Sequence, residues 1–185
     1  MNQNNPINIR NYAIEDREAV NAITRLAWEQ FRSHFADFDE FISRVSDMAE
    51  LSETCEVIVA ELSSQVVGVV GYGGPNQPKI EIFDPEWAVV RMLSTHPAAR
   101  GRGIGQLLVG ECIRRARRDQ CTTLALTTTT INTVALKMYL KMGFLLHSEA
   151  PPVADFPAGL YILNLKNEPA SFTSTQVREE SIKTL

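Results

Sequence analysis

A glycine-rich segment at residues 100–106 has the composition of a phosphate-binding turn. It reads Arg-Gly-Arg-Gly-Ile-Gly-Gln and lies between an apolar run that ends near Thr95 and a helical pattern that begins near Gly103. Amide N–H groups at a helix start lack intrahelical acceptors and carry the positive end of the helix dipole, so they favour an anion. Glycines also let phosphate oxygens come close to the main chain. The segment indicates a polyanion site, and a glycine-rich connection without a ligand is the alternative.

Two other phosphate-binding motifs do not fit this segment. The dinucleotide fingerprint needs a third glycine where Gln106 stands, and the P-loop ends in Gly-Lys-Ser/Thr, which is absent here. A nucleotide-dependent oxidoreductase is therefore disfavoured.

A second segment, residues 132–144, makes the assignment more specific. Together the two segments resemble the GNAT superfamily of acyl-CoA-dependent N-acetyltransferases, whose signatures are Arg/Gln-x-x-Gly-x-Gly/Ala and Asn-x-x-Ala-x-x-x-Tyr followed by Gly-Phe. The matching residues are Arg100, Gly103 and Gly105 for the first signature and Asn132, Ala135, Tyr139, Gly143 and Phe144 for the second. The two signatures occur in the family's order.

The resemblance implies a single mixed α/β domain with a mostly antiparallel central sheet, helices on both faces and one splayed parallel strand pair at residues 87–95 and 121–128. Acetyl-CoA, the cosubstrate of such proteins, would enter the V between these strands. The pantetheine arm would pair with the first strand, the turn would hold the pyrophosphate, and Asn132 would contact the pantetheine from the other side. The implied cofactor-binding residues are Leu93, Ser94, Thr95, Arg100, Gly101, Arg102, Gly103, Ile104, Gly105, Gln106 and Asn132.

The implied reaction is direct attack by a primary amine of a small molecule or peptide on the thioester. A β-bulge would present a main-chain N–H near Leu93 or Ser94 to the oxyanion. Tyr139 is the candidate acid for the departing thiolate, because a phenol with a pKa of about 10 stays protonated at neutral pH. A packing role for Tyr139 in the core is the alternative.

The group that takes the proton of the amine is not evident from the sequence. Many relatives carry a glutamate on the strand before the turn, where this chain has Val89, Val90 and Arg91. Glu86, at the beginning of that strand, is the candidate carboxylate, and a water chain is an equal alternative. Arg91 could pair with an acidic substrate or with a nearby carboxylate, Asp84 or Glu86. The missing glutamate also favours the rival interpretation, a non-catalytic acyl-CoA sensor or interaction module.

Other side chains suggest structural roles. We expect the basic run at residues 114–118 to form mainly a solvated helix face, and attraction of CoA phosphates or acidic surfaces is the lesser alternative. We expect the aromatic residues to form core and to wall the acceptor cleft; they are Trp28, Phe31, Phe35, Phe38 and Phe41. His34 and His147 lack partners at metal-ligand spacing, so no metal site is expected. His96 should cap a loop, and Cys55, Cys112 and Cys121 should be reduced core residues.

Hydrophobic patterns place the elements around these residues. They predict strands at 7–12, 56–62, 66–73, 87–95, 121–128, 144–148 and 160–165. They predict helices after residue 15, over 38–51, from 103 to about 119 and from 132 to about 141. Proline-rich loops are expected at 74–86, with a brief extended piece at 79–83, and at 151–157. The domain is expected to span 1–166, and 167–185 to form a polar tail.

Composition limits the function classes. An apolar fraction of 44% in 185 residues suits one core, and a net charge of −4 with pI near 5.4 disfavours a nucleic-acid-binding role. The sequence has no apolar run of about 18 residues and its first residues have no apolar signal region, so we expect neither a membrane span nor secretion, and a cytoplasmic location. The resemblance also suggests a homodimer, because exposed strands near the C-terminus often pair in the GNAT family.

Overall fold

The computed structural model describes residues 6–45, 47–153 and 155–166; the predicted tail at 167–185 lies outside the described residues. The strands are β1 (Asn8–Asn11), β2 (Glu56–Leu62), β3 (Gln65–Gly73), β4 (Ala88–Thr95), β5 (Thr123–Thr129), β6 (Leu145–Val153) and β7 (Phe156–Asn164). The helices are α1 (Arg17–Glu29), α2 (Phe38–Val45), α3 (Met48–Leu51), α4 (Ile104–Arg118) and α5 (Thr133–Lys141).

The seven strands form one mixed sheet in the order β1-β2-β3-β4-β5-β7-β6. Neighbouring strands are antiparallel except β4 and β5, which are parallel and pair only at Ala88 with Leu124 and at Val89 with Ala125. The two central strands therefore separate beyond Val89. The predicted mixed fold with one splayed parallel pair is confirmed.

Helices cover both faces of this sheet. On one face, α4 and α5 bury Leu108, Cys112 and Tyr139 against β2 to β5. On the other face, α1 and α3 bury Val20, Ile23 and Met48 against β2 and β3, and the 74–87 segment places Phe83 over β4, β5 and β7. Burial of this apolar surface is the main favourable contribution to folding. Within the described residues, no helix combines the length and apolarity needed to cross a bilayer.

Two predicted segments differ from the structure. Residues 151–157 are not a loop, because β6 runs to Val153 and β7 begins at Phe156. Pro151 and Pro152 are tolerated since β6 is an edge strand and the pairing register shifts between Ala150 and Val153. The predicted helix at 38–51 is divided into α2 and α3.

The predicted extended piece at 79–83 is not a strand. The ammonium of Lys79 donates hydrogen bonds to the carbonyl oxygens of Gly74, Pro85 and Trp87 at 3.0, 2.8 and 2.7 Å. Burial lowers the pKa of Lys79. One side chain thus gathers the segment into a compact loop, and a hydrophobic pattern cannot reveal such a contact.

The basic run on α4 is not simply a solvated face. Arg115 is buried and donates to Glu111 Oε1 at 2.9 Å, to Asn11 Oδ1 at 2.6 Å and to a carboxylate oxygen of Glu56. Arg118 also reaches Glu56. This network ties the end of α4 to β1 and β2, so the prediction fails at Arg115. The prediction for the cysteines is confirmed, because all three are buried and unpaired.

Candidate functional site

A cleft of about 780 Å³ opens where β4 and β5 have separated. It is lined by the end of β4, the 99–106 turn with the start of α4, the beginning of α5 and the end of α1 with the residues that follow. Among the described residues, the edge of β4 that faces β5 has no strand partner beyond Val89. An extended ligand could therefore pair with the main chain of residues 90–95, as an added strand does.

The turn before α4 presents a row of unpaired main-chain donors. Gly101 and Gly103 have φ values of 76° and 75°, which glycine adopts without strain, and Gly103 is the N-cap of α4. The first helical hydrogen bond runs from Leu107 N–H to the Gly103 carbonyl at 3.1 Å. Within the described chain, the six N–H groups of residues 101–106 have no protein acceptor. These donors and the helix dipole form a cradle for a polyanion.

A β-bulge interrupts β4 beside the cleft. Arg91 pairs with Gly71 and Ser94 pairs with Val69. Between these two pairs β4 contains two residues and β3 contains one, so β4 has one extra residue. Met92 has φ 54°, an unusual conformation for a residue with a side chain. The predicted bulge is thus present immediately before Leu93, at the place where the main chain faces the cleft. A bulge of this kind leaves a main-chain group without a ladder partner.

The other wall is held in place by the end of α5. The N–H of Phe144 donates to the Tyr139 carbonyl at 3.1 Å and the N–H of Gly143 donates to the Leu140 carbonyl at 3.1 Å, which is a Schellman motif with Gly143 at φ 92°. Asn132 stands at the N-cap of α5, but its side chain does not cap the helix. The side chain lines the cleft instead.

The structure brings most predicted cofactor-binding residues together. The cleft lining includes Leu93, Ser94, Thr95, Arg100, Gly101, Gly103, Ile104, Gly105, Gln106 and Asn132. Arg102 is exposed and does not line the cleft. The guanidinium of Arg100 donates to Gln30 Oε1 at 3.2 Å and to the Ala27 carbonyl at 3.4 Å. Arg100 thus fastens the turn to the end of α1, where a cation is favourable.

Aromatic side chains form the wall on the α1 side. Trp28 and Phe31 line the cleft. Behind them, Phe35 stacks on Phe41 with ring centroids 4.3 Å apart, and Trp28 meets Phe41 edge to face at 5.0 Å. The predicted aromatic cluster is present, and Trp28 and Phe31 reach this cleft. That the aromatic residues wall the acceptor cleft stays a prediction.

Tyr139 lies behind the α5 wall rather than on its surface. It is buried in the main core, meets Phe144 edge to face at 5.7 Å and does not line the cleft. Ala135, one helical turn earlier on the same face, does line it. Burial raises the pKa of Tyr139, which keeps the phenol protonated.

Glu86 is not brought to the cleft. It is exposed in the turn before β4, where its N–H donates to Asp84 Oδ1 at 2.8 Å. At about 3.3 Å per residue, Ala88 and Ser94 lie roughly 20 Å apart along the strand, so Glu86 stands at the opposite end of β4 from the cleft. His96 accepts a hydrogen bond from Ala98 N–H at 3.2 Å, as predicted for a loop cap.

The sequence analysis missed two basic residues of the cleft. Lys137 and Lys141, one turn apart on α5, line it together with Arg100, and no carboxylate is among the described lining residues. Their i, i+4 spacing was the available signal, but a helical pattern alone does not show which face meets a ligand. The resulting positive lining suits a phosphorylated ligand.

Comparisons with known proteins agree with this geometry. The model of the acetyltransferase (GNAT) family matches residues 20–144. A search of curated proteins gave no significant match. Similar solved structures include YncA from Salmonella typhimurium, a putative acetyltransferase with its cofactor acetyl-CoA (TM-score 0.65, 21% identity, 90% of this chain and 98% of that one).

Two further structures share the fold. One is the PaiA N-acetyltransferase from Thermoplasma acidophilum in complex with coenzyme A (TM-score 0.66, 19% identity, 86% of this chain and 99% of that one). The other is a ribosomal-protein-alanine N-acetyltransferase from Brucella melitensis (TM-score 0.61, 24% identity, 85% and 99%). The family model spans most of this chain and covers both signatures and both walls of the cleft, and on that basis the chain belongs to the GNAT acetyltransferase family.

Proposed function

We propose that this protein transfers the acetyl group of acetyl-CoA to a primary amine by direct attack of the amine on the thioester. The observation that carries the proposal is the row of unpaired N–H groups at residues 101–106 beside the unpaired edge of β4. The N–H groups fit a pyrophosphate, and the edge of β4 fits the extended, amide-bearing pantetheine arm. The structures of YncA and PaiA, which share the fold, contain acetyl-CoA and coenzyme A, respectively.

The shape of the cradle also fits acetyl-CoA. A β carbon on Gly101 would meet no atom within 4 Å, so the turn is open to a ligand at that point. The amides of 101–106 hold the pyrophosphate, residues 93–95 pair with the pantetheine, and Asn132 contacts the pantetheine from the α5 side. Lys137 and Lys141 add attraction for the phosphates, which weakens as salt is added.

Catalysis then depends mainly on holding both reactants in one orientation. The amine nitrogen forms a bond to the thioester carbon, and the carbonyl oxygen becomes an oxyanion that accepts a hydrogen bond from a main-chain N–H near Leu93 or Ser94. The carbon–sulfur bond breaks, and the thiolate takes a proton from the phenol of Tyr139, one helical turn after Ala135 on α5. The phenolate then regains a proton, through water, from the nitrogen of the new amide. The proton of the substrate ammonium passes to water, because no described carboxylate lines the cleft.

A non-catalytic acyl-CoA sensor is the second candidate function. The observation in its favour is the same lack of a carboxylate in the lining, together with the burial of Tyr139. Both functions require acetyl-CoA binding, and only the enzyme requires amine-dependent release of the CoA thiol.

Two measurements test these functions. Calorimetric titration with acetyl-CoA should show binding, and a null result with both acetyl-CoA and CoA would overturn either function. Thiol release should then be followed against a panel of primary amines. Stimulation above background hydrolysis supports the transferase, whereas binding without stimulation by any amine supports the sensor. Homodimerisation and a cytoplasmic location stay predictions.

A further inference from the structure

The sheet has a partly exposed patch on the face opposite α4 and α5. Side chains alternate along a strand, and Val89 and Ala125 point into the cluster under the 74–87 segment. Arg91 and Thr127, two residues further along β4 and β5, therefore point to the same face. Arg91 is only half-buried and Thr127 is exposed, although both lie on central strands. Leu51 of α3 packs beside Arg91 over Gly71, and within the described residues the sheet is open from there towards Thr127.

This patch lies at the apex of the V. The last β4–β5 pair is Val89 with Ala125, so Arg91 and Thr127 are the first residues of this face beyond it. The bulge at Met92 and the proposed oxyanion donor follow immediately on β4. A molecule that approaches from this face would reach the thioester from the side opposite α5. The patch is therefore in position to receive the acceptor.

Arg91 lacks the partner that a half-buried guanidinium usually has. Among the described residues, no carboxylate oxygen is paired with it, and its guanidinium donates from Nη1 to the thiol sulfur of Cys55 at 3.5 Å. The predicted alternatives, Asp84 and Glu86, do not reach it. By contrast, Arg10 and Arg115 each bind carboxylates. A thiol is a poor acceptor, so most of the five N–H donors of Arg91 remain available.

We propose that Arg91 binds a carboxylate of the acceptor and that the substrates are amines with a carboxylate near the nucleophilic nitrogen, such as free amino acids. This inference rests on the proposed acetyl transfer. Arginine binds carboxylates through a planar, bidentate fork, and the hydroxyl of Thr127 on the neighbouring strand offers a further donor.

The test compares matched acceptors. Each of a set of amino acids is paired with its amide, which keeps the amine and removes the negative charge, and both are assayed with acetyl-CoA. We expect the wild-type protein to favour the acids by about 10- to 100-fold in kcat/KM, the range for a hydrogen-bonded charge pair. Arg91→Gln should remove this preference through KM, and Arg91→Lys should restore part of it. Arg114→Gln, an exposed arginine on α4, is the matched control and should keep it.

The outcomes separate this inference from the proposed transfer. If amides are acetylated as well as acids, or if Arg91→Gln keeps the preference, the carboxylate site is refuted while the transferase stands. Calorimetry of amino acids against the CoA-loaded protein gives a second readout that needs no turnover. Binding of acids but not amides, lost in Arg91→Gln, supports the site even if no amine is acetylated. Equal binding of acids and amides, or no binding, overturns it. Acetyl-CoA affinity and the melting temperature show whether the variants remain folded.

Discussion

Gly105 of α4 and Met138 of α5 approach each other across the cleft: a β carbon on Gly105 would lie 3.0 Å from Sδ of Met138 and 3.8 Å from Cδ2 of Leu93. All three residues line the cleft. The absence of a side chain at Gly105 therefore keeps open the space between β4 and α5. The thioether of Met138 is flexible, so a methyl group could be accommodated in the fold at modest cost. The same methyl group would narrow the ligand's space.

We expect Gly105→Ala to weaken acetyl-CoA binding by roughly tenfold or more, because it disturbs hydrogen bonds to a charged group. Gly110→Ala is the matched control on the same helix, where a β carbon would meet nothing within 4 Å. It should raise the free energy of unfolding by about 0.5–1 kcal/mol and leave affinity unchanged. Calorimetry and chemical denaturation measure the two effects. Equal affinities in both variants would contradict the placement of the ligand beside Gly105.

Tyr139→Phe tests the proposed acid. Removal of the hydroxyl should lower kcat by about 100-fold or more while acetyl-CoA affinity stays within about twofold. Burial raises the pKa of this phenol, so its protonated form persists and kcat should not fall as pH rises from 7 to 9 through loss of this proton. Tyr161→Phe is the control, because Tyr161 on β7 is also a tyrosine that packs, partly buried, against the main core. Unchanged kcat in Tyr139→Phe would show that Tyr139 acts only in packing.

The ion pairs between Glu56 and the end of α4 should make the free energy of unfolding depend on pH in the acid range. Hydrogen bonds from Arg118 and the nearby charge of Arg115 lower the pKa of Glu56. A lowered carboxyl pKa in the folded state stabilises the protein above the ordinary glutamate pKa of about 4.3, and this contribution is lost as pH falls through the folded-state pKa.

Glu56→Gln should therefore lower the free energy of unfolding at pH 7 by about 1 kcal/mol, a modest value because the Glu56 side chain is 43% exposed. The difference from wild type should shrink at pH 3. Urea denaturation at the two pH values measures it, with Glu149→Gln on exposed β6 as the control. A difference that persists at pH 3 would mean that packing, rather than charge, accounts for the effect.

The exposed edge of the sheet tests the expected homodimer. Leu145 and Leu146 at the start of β6 are 69% and 62% exposed, and β6 has no strand partner on its outer side among the described residues. A lysine on an edge strand opposes pairing with another strand. If two copies pair here, Leu145→Lys should convert dimer to monomer in sedimentation velocity. A wild-type protein that sediments as a monomer at high concentration would contradict the dimer itself.

Local chemistry allowed much of the site to be predicted. The turn at 100–106 and the Gly143 helix end depend on residues a few positions apart, because glycine supplies the positive φ values that these turns require. The strands at 56–62 and 88–95 follow from apolar runs of suitable length bounded by turn residues. For the same reason, the two signatures were sufficient to identify the family and the position of the glycine turn before α4.

The features that the sequence did not predict depend on contacts between residues far apart in the chain. The burial of Arg115 depends on Asn11 and Glu56, which come from other strands, and the prolines of β6 are tolerated only because that strand lies at the edge. The distance of Glu86 from the cleft and the unpaired guanidinium of Arg91 likewise follow from where the sheet places each end of β4. The sequence alone therefore determined the glycine turn before α4 and the family, since the turn and the signatures depend on residues a few positions apart. Only the tertiary structure decided which charged side chains are buried, paired or left open to a substrate, because that depends on packing between residues far apart in the chain.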